Sequence, residues 1–267
     1  MVKLNKEIDR FLKKVGKKIN VAISYIGDVS ILAWKAFYFA FKPPFKIKSV
    51  FQQANFVGVN SFSIVFLVSL FTGIVLALQS AYALRAISGE MYAARLVALS
   101  MTRELGPVLT ALVIAGRVGA AISAELGTMK VTEQIDALQT LATNPIKYLV
   151  TPRLVALVIM LPLLTVYSDA IGMLGGYIVG VWKLHVGSVM YFKMTFDYLV
   201  LKDIFTGLIK SVFFAVVIAI IGCYQGLTTE GGAEGVGKST TLAVVVSFIL
   251  IIAGDCLFTA LFYFAFR

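Results

Sequence analysis

The chain has 267 residues, 59% of them hydrophobic and only 14% charged, with a mean hydropathy of +0.90. A soluble domain is about 45–50% apolar, so one water-surrounded core cannot absorb this excess, and lipid must solvate much of the surface. Lysine and arginine number 24 against 14 acids, a net charge of +10; in a soluble protein that balance points to nucleic acid, but here it clusters ahead of the first long apolar run, as on the cytoplasmic side of a membrane with anionic lipid, and no nucleic-acid partner is expected.

Residues 1–50 read as a basic amphipathic interfacial region. Eleven basic residues between Lys3 and Lys48 face three acids, Glu7, Asp9 and Asp28. Leu4, Ile8, Phe11, Leu12, Val15, Ile19, Ala22, Ile23 and Ile26 recur at helical spacing with lysines on the other faces, which predicts a helix lying in the headgroup plane. The same pattern fits a helix packed on a soluble partner. The apolar run 29–41 is shorter than the ~20 residues a span requires. Trp34 and Tyr38 suit an interface, and Pro43-Pro44 stops the run, so it reads as an elbow helix along the inner leaflet. The long charged opening, with no small-residue cleavage site after a short apolar core, gives no signal peptide.

Residues 51–267 read as a transmembrane domain of five helices, at about 56–84, 96–123, 154–182, 204–226 and 241–266, each matching or exceeding the length needed to span. The fold class is therefore all-α and polytopic. With a cytoplasmic N-terminus, an odd count puts the C-terminus outside, the loops near 124–153 and 227–240 inside, and 183–203 outside. Gly172, Gly176 and Gly180, and Ala115, Gly119, Ser123 and Gly127, form ladders that let helices pack closely. Cys223 and Cys256 lie in apolar runs and read as small buried hydrophobes. His185 is the only histidine, so no histidine metal cluster can form.

Three stretches could carry function. Residues 232–239 match the phosphate-loop pattern G-x-x-x-x-G-K-[ST] in full, but that loop works between a buried strand and a helix of an α/β domain. Here it lies between two membrane segments, and its glycines read as a sharp cytoplasmic bend. The loop from Glu125 predicts a short helix at about 132–142, with Thr132 as cap, Glu133 and Asp136 at its positive end, Ile135, Leu138 and Leu141/Ala142 as one apolar stripe, and Asn144-Pro145 as the stop. It is either an interfacial connector or a coupling helix, a peg that docks in a groove of a soluble ATPase. Finally, Arg103, Glu104, Arg117, Asp169, Lys210 and Asp255 lie inside apolar segments, where a central charge costs at least ~2.5–3.5 kcal/mol on insertion scales. Pro107 lacks the amide that would bond the carbonyl of Arg103, and Pro162 does the same for Val158. Lys210 needs an acid, with Glu104 and Asp255 as candidates. The group reads as an ion pair fixing helix register, as a polar lining beside a lipid headgroup, or as a proton relay.

The stretch Leu105–Met129, with Arg103-Glu104 before it and Thr132-Glu-Gln-Ile-Asp after it, resembles the MlaE/YrbE family of ABC permeases. Ser168–Gly180, Leu208–Phe213 and Gly235–Thr241 extend the resemblance from about Phe51 to the C-terminus. It implies a homodimeric, non-catalytic permease of the bacterial inner membrane that binds no cofactor, with ATP and magnesium in a separate cytoplasmic ABC ATPase. That ATPase docks near Glu125, Thr132, Glu133, Gln134, Ile135, Asp136 and Leu138. A periplasmic or membrane-anchored MCE-domain protein exchanges phospholipid or a related lipid with it for envelope lipid homeostasis. By position, Glu104, Lys210 and Asp255 match polar membrane residues of the family, and Leu76, Gln79 and Ala83 face the lipid cavity at the dimer interface. Two other classes compete. An ion-coupled secondary transporter would use Glu104, Lys210 and Asp255 as a relay, but no inverted repeat is evident. A lipid-modifying membrane enzyme lacks any Ser-His-Asp set, metal cluster or paired-carboxylate signature.

Overall fold

A computed structural model describes residues 2–43, 46–85 and 89–265, and the side chains of all of these except 2–15, 18, 21, 22 and 265. The described residues form helices and turns without a strand. In hydrocarbon every backbone N–H and C=O must be satisfied within the chain, and a helix does this segment by segment.

The first helix, α1 (Val2–Ala40), runs unbroken where the sequence suggests an amphipathic helix and a separate elbow. Gly27 does not interrupt it, because one interior glycine costs only about 1 kcal/mol relative to alanine and the second half of the helix is held by packing. Leu32 and Ala36 are buried, the Tyr25 ring stands edge-on to Tyr224 at 5.0 Å, and the Gln225 amide donates to the Tyr25 hydroxyl at 3.0 Å. Ile19, Ile23 and Ile26 face away from the bundle. The rest of the expected apolar stripe, Leu4, Ile8, Phe11, Leu12, Val15 and Ala22, lies outside the described side chains, and Pro44 lies outside the described residues.

Five spans follow, Ile47–Leu84, Glu90–Val131, Ile146–Trp182, Leu201–Leu227 and Gly232–Phe264, each apolar and long enough to cross ~30 Å of hydrocarbon at ~1.5 Å per residue. The count agrees with the sequence, but most of the spans reach further than hydropathy alone marks. The first is α2 (Ile47–Gly58), a 3-10 turn at Val59–Ser61, and α3 (Phe62–Leu84). Arg117 braces this irregular turn, donating from Nη1 to Ser61 Oγ at 2.5 Å and to the Phe56 carbonyl at 3.4 Å. The second span is α4 (Ala93–Ser100), α5 (Gly106–Ile114) and α6 (Ala120–Val131), separated by π turns at Met101–Leu105 and Ala115–Gly119. After the short α7 (Gln134–Thr140) comes a π turn at Ile146–Val150 and then α8 (Thr151–Trp182), the central helix of the bundle. Its Leu154, Leu157, Leu161 and Leu164 pack with Ile114 and Ile122 of the second span and with Phe214 and Ile218 of α10 (Leu201–Leu227). Helix α11 (Gly232–Ala265) packs on α10 and α6.

Three sequence expectations need correction. The phosphate-loop mimic is the first two turns of α11 and not a loop; the bend is residues 228–231, and the chain leaves it through Gly231 and Gly232 with φ of +89° and +67°. The outer stretch 183–203 contains a helix, α9 (Ser188–Phe196), whose Tyr191 ring fills the groove left by Gly176 and Gly180. Two rungs of the glycine ladder thus seat an aromatic side chain, and burial pushes the Tyr191 phenol above its ordinary pKa. Cys223 is buried as expected, but Cys256 is exposed on α11. Because successive spans alternate in direction, α7 and the α10–α11 bend sit at one end of the bundle, and α9 and the C-terminal end of α11 sit at the other.

Candidate functional site

The site begins with a missing amide. Pro107 cannot donate to the carbonyl of Arg103, and the chain around it widens into the π turn Met101–Leu105. Lys210 of α10 supplies the donor: its Nζ lies 3.1 Å from the Arg103 carbonyl. The same ammonium donates to Glu104 Oε2 at 2.5 Å, to Asp255 Oδ1 at 2.8 Å and to Thr259 Oγ1 at 2.8 Å. The Thr259 hydroxyl in turn donates to Glu104, at 3.0 Å from Oε1. Three N–H groups of one span therefore serve four acceptors on two others. Lys210 is only 1% exposed. A cation so buried persists only when fully paired, and here the pairs are charge-assisted and short.

A second pair flanks the first. Arg103 donates through Nε to Asp203 Oδ1 at 2.8 Å, and its Nη2 lies 2.7 Å from the same oxygen. Asp203 also accepts the Val200 amide, capping α10. Arg103, Glu104, Asp203, Lys210 and Thr259 of the two clusters line a cleft of about 520 Å³, together with Thr206, Phe262 and Tyr263. Charges of both signs, three hydroxyls and two aromatic rings thus meet in one opening beside α10 and α11. Such a lining can hold a polar or zwitterionic group at the edge of the hydrocarbon.

The structure brings together Arg103, Glu104, Lys210 and Asp255. It does not bring Leu76, Gln79 and Ala83 to them: α3 packs mainly on α8, with Gln79 and Ala83 exposed and Leu76 half-buried against the cluster around Val97 and Met101. Sequence reasoning missed Asp203 and Thr259. Asp203 falls just outside the apolar run 204–226, at the third position of α10. Thr259 is neutral, and only its spacing four residues after Asp255 on one helix face points to it.

At the opposite end, α7 is shorter than expected. Thr132 does not cap it; its hydroxyl donates back to the Thr128 carbonyl, while Glu133 takes a left-handed φ of +59° before Gln134 starts the helix. The helix stops at Thr140, and Asn144 serves the next element instead, its Oδ1 accepting the Ile146 amide at 2.9 Å. The apolar stripe is split: Ile135 is 3% exposed and Leu138 packs on the core, whereas Leu141 is 75% exposed. Asp136 pairs with Lys130 at 3.0 Å. Glu125 is joined at 2.7 Å to Arg153, which is 4% exposed and also donates to the Leu149 carbonyl. This pair ties α6 to the start of α8 directly behind α7.

The family described as Permease MlaE matches residues 50–261. Among curated relatives, the chain is 46% identical over 249 residues to a probable ABC transporter permease protein of Rickettsia typhi, covering 93% of this chain and 96% of the relative. It is 46% identical over 204 residues to a probable ABC transporter permease protein of Synechocystis, covering 76% and 78%. It is 37% identical over 263 residues to the intermembrane phospholipid transport system permease protein MlaE of Haemophilus influenzae, covering 96% and 98%.

Proposed function

The chain belongs to the MlaE permease family of ABC transporter permeases, and from that premise we propose that it is the membrane subunit of an ATP-driven transporter moving phospholipid or a related lipid between the inner membrane and an MCE-type carrier. The observation that carries the lipid reading is the charged cleft around Lys210 inside an otherwise apolar bundle. At about 520 Å³ it is sized for a headgroup, while the exposed apolar faces of α3 and α11 suit acyl chains. One copy encloses little room for two tails, which favours a homodimer with Leu76, Gln79 and Ala83 toward the shared cavity. With the basic N-terminus in the cytoplasm, the end bearing α7 faces the cytosol and the cleft lies toward the periplasmic leaflet.

The chain supplies no nucleotide chemistry in this reading. Exposed Glu133 and Asp136 present negative charge beside Gln134, and a cytoplasmic ABC ATPase seats on this corner. Ile135 and Leu138 anchor α7 to the core, so the peg is stiff and a push on it reaches α6 and α8. Glu125, through Arg153, shares that load.

Mass spectrometry of the intact detergent-extracted complex tests the assembly. Two copies of this chain with an ATPase, an MCE-domain protein and bound phospholipid are expected. A lipid-free monomer under gentle extraction overturns it, and transport that needs no ATP and collapses with the proton gradient points to an ion-coupled relay instead. A second test addresses the docking corner. Glu133→Lys with Asp136→Lys is expected to reduce ATPase retention in a pull-down by about tenfold or more, as for loss of a charged contact, while the unfolding temperature of the membrane bundle stays within a few degrees. Unchanged retention removes α7 from the interface.

A further inference from the structure

Asp169 of α8 is a carboxyl group that the lipid-handling site does not use. It is 7% exposed, and its Oδ1 has no hydrogen-bond partner. Oδ1 points at the backbone of Gly106, at the exit of the π turn: a methyl group on Gly106 would overlap Oδ1 and lie 2.8 Å from the Met101 carbonyl oxygen. Two oxygen acceptors thus converge beside the Gly106 Cα. The Met101 carbonyl already accepts the Gly106 amide, the bond that closes the π turn, and has a second lone pair free.

Among the described residues, no cation pairs with a carboxylate there. Arg103 is taken by Asp203, and Lys210 by Glu104 and Asp255. Arg95 of α4 lies over the Tyr198 ring. Helices α3 and α5, which pack on α8, carry no charged residue. An ionised carboxylate facing a carbonyl oxygen in the membrane interior, without a donor, is costly twice over: as a bare charge and as an acceptor–acceptor repulsion.

We propose that Asp169 holds a proton and donates it in a hydrogen bond to the Met101 carbonyl, acting as a positioning residue that fixes the π turn from which Glu104 reaches Lys210. The bond joins α8 to the second span at Met101, adding to the hold that Lys210 of α10 has on the Arg103 carbonyl. The tight approach at Gly106 follows, since any side chain there would displace the carboxyl. The role of Glu104 in lipid handling rests on the proposed function; the proton and the bond do not.

Infrared difference spectroscopy of the full chain in lipid nanodiscs, unchanged protein against Asp169→Asn, reads the proton directly. The carbonyl stretch of a protonated carboxyl group is expected at neutral pH in the unchanged protein and is absent from the variant; carboxylate bands in its place overturn the proposal. Hydrogen exchange of residues 101–106 reads the bond. Asp169→Leu is expected to exchange there about tenfold faster, the effect of one buried hydrogen bond lost. Asp169→Asn, whose amide can donate to the same carbonyl, stays within about twofold of the unchanged protein. Equal exchange in all three proteins, or an asparagine variant as fast as the leucine one, overturns the bond even where the infrared band is present. Should the unchanged protein move no lipid, the proposed function falls while both readings stand.

Discussion

Replacing Lys210 with methionine is expected to destabilise the bundle by about 3 kcal/mol, because removing one member of a buried ion cluster leaves the others uncompensated. Glu104 and Asp255 lose their shared cation, and the Arg103 carbonyl loses the donor that Pro107 cannot provide. Both carboxylates are partly exposed, with side chains 39% and 23% accessible, so water recovers some of the loss and the figure lies at the low end of the range for buried pairs. Denaturant unfolding in a mild detergent measures it. The companion experiment removes all three charges with Glu104→Gln, Lys210→Met and Asp255→Asn. Stability is expected to return to within about 1 kcal/mol of the unchanged protein, since neutral groups no longer need a cation. Lipid transfer is not expected to return. A triple variant that transfers lipid normally reduces the cluster to a fastener.

The second large effect is at the α3–α8 contact. A methyl group on Gly73 would overlap the backbone carbonyl of Gly172, which cannot move without shifting α8. Gly73→Ala is therefore expected to cost about 3 kcal/mol, the upper range for overpacking a close interface. Gly172→Ala on the facing helix provides the contrast. Its methyl would overlap only the end of the Met101 side chain, whose three rotatable bonds let it swing, and a cost of about 1 kcal/mol is expected. The difference in unfolding temperature between the two alanine variants checks the assignment; equal shifts would mean that the helices do not touch through their backbones there.

The spans were legible because lipid imposes a length and an apolar composition that few other environments demand. Their ends were not, because hydropathy fades before the helix does: Gly232–Ser239 is polar enough to suggest a loop, yet it is helical and begins a span. Glu104, Lys210 and Asp255 could be grouped in advance because a cation inside hydrocarbon needs acids and only a few were within the apolar runs. The capture of the Arg103 carbonyl by Lys210 followed from Pro107 in half only, since the proline predicts a free acceptor but not who takes it. Asp203 went unnoticed because it caps α10, and capping residues sit where apolar runs stop. The α7 stripe misled because periodicity places Ile135, Leu138 and Leu141 together, whereas the helix ends at Thr140 and Leu141 turns outward.

The tight bend at residues 228–231 has a mechanical corollary. With so few residues between them, and with extensive side-by-side packing, α10 and α11 can only tilt together, like the two prongs of a fork. Lys210 and Asp255 ride on the prongs, while Glu104 belongs to the stem they lean against. Leu227 and Lys210 are about 25 Å apart along the helix axis, so a five-degree rocking at the bend carries the ammonium about 2 Å, enough to break its hold on Glu104. A small stroke delivered at one face of the membrane would thereby loosen or tighten an electrostatic latch near the other.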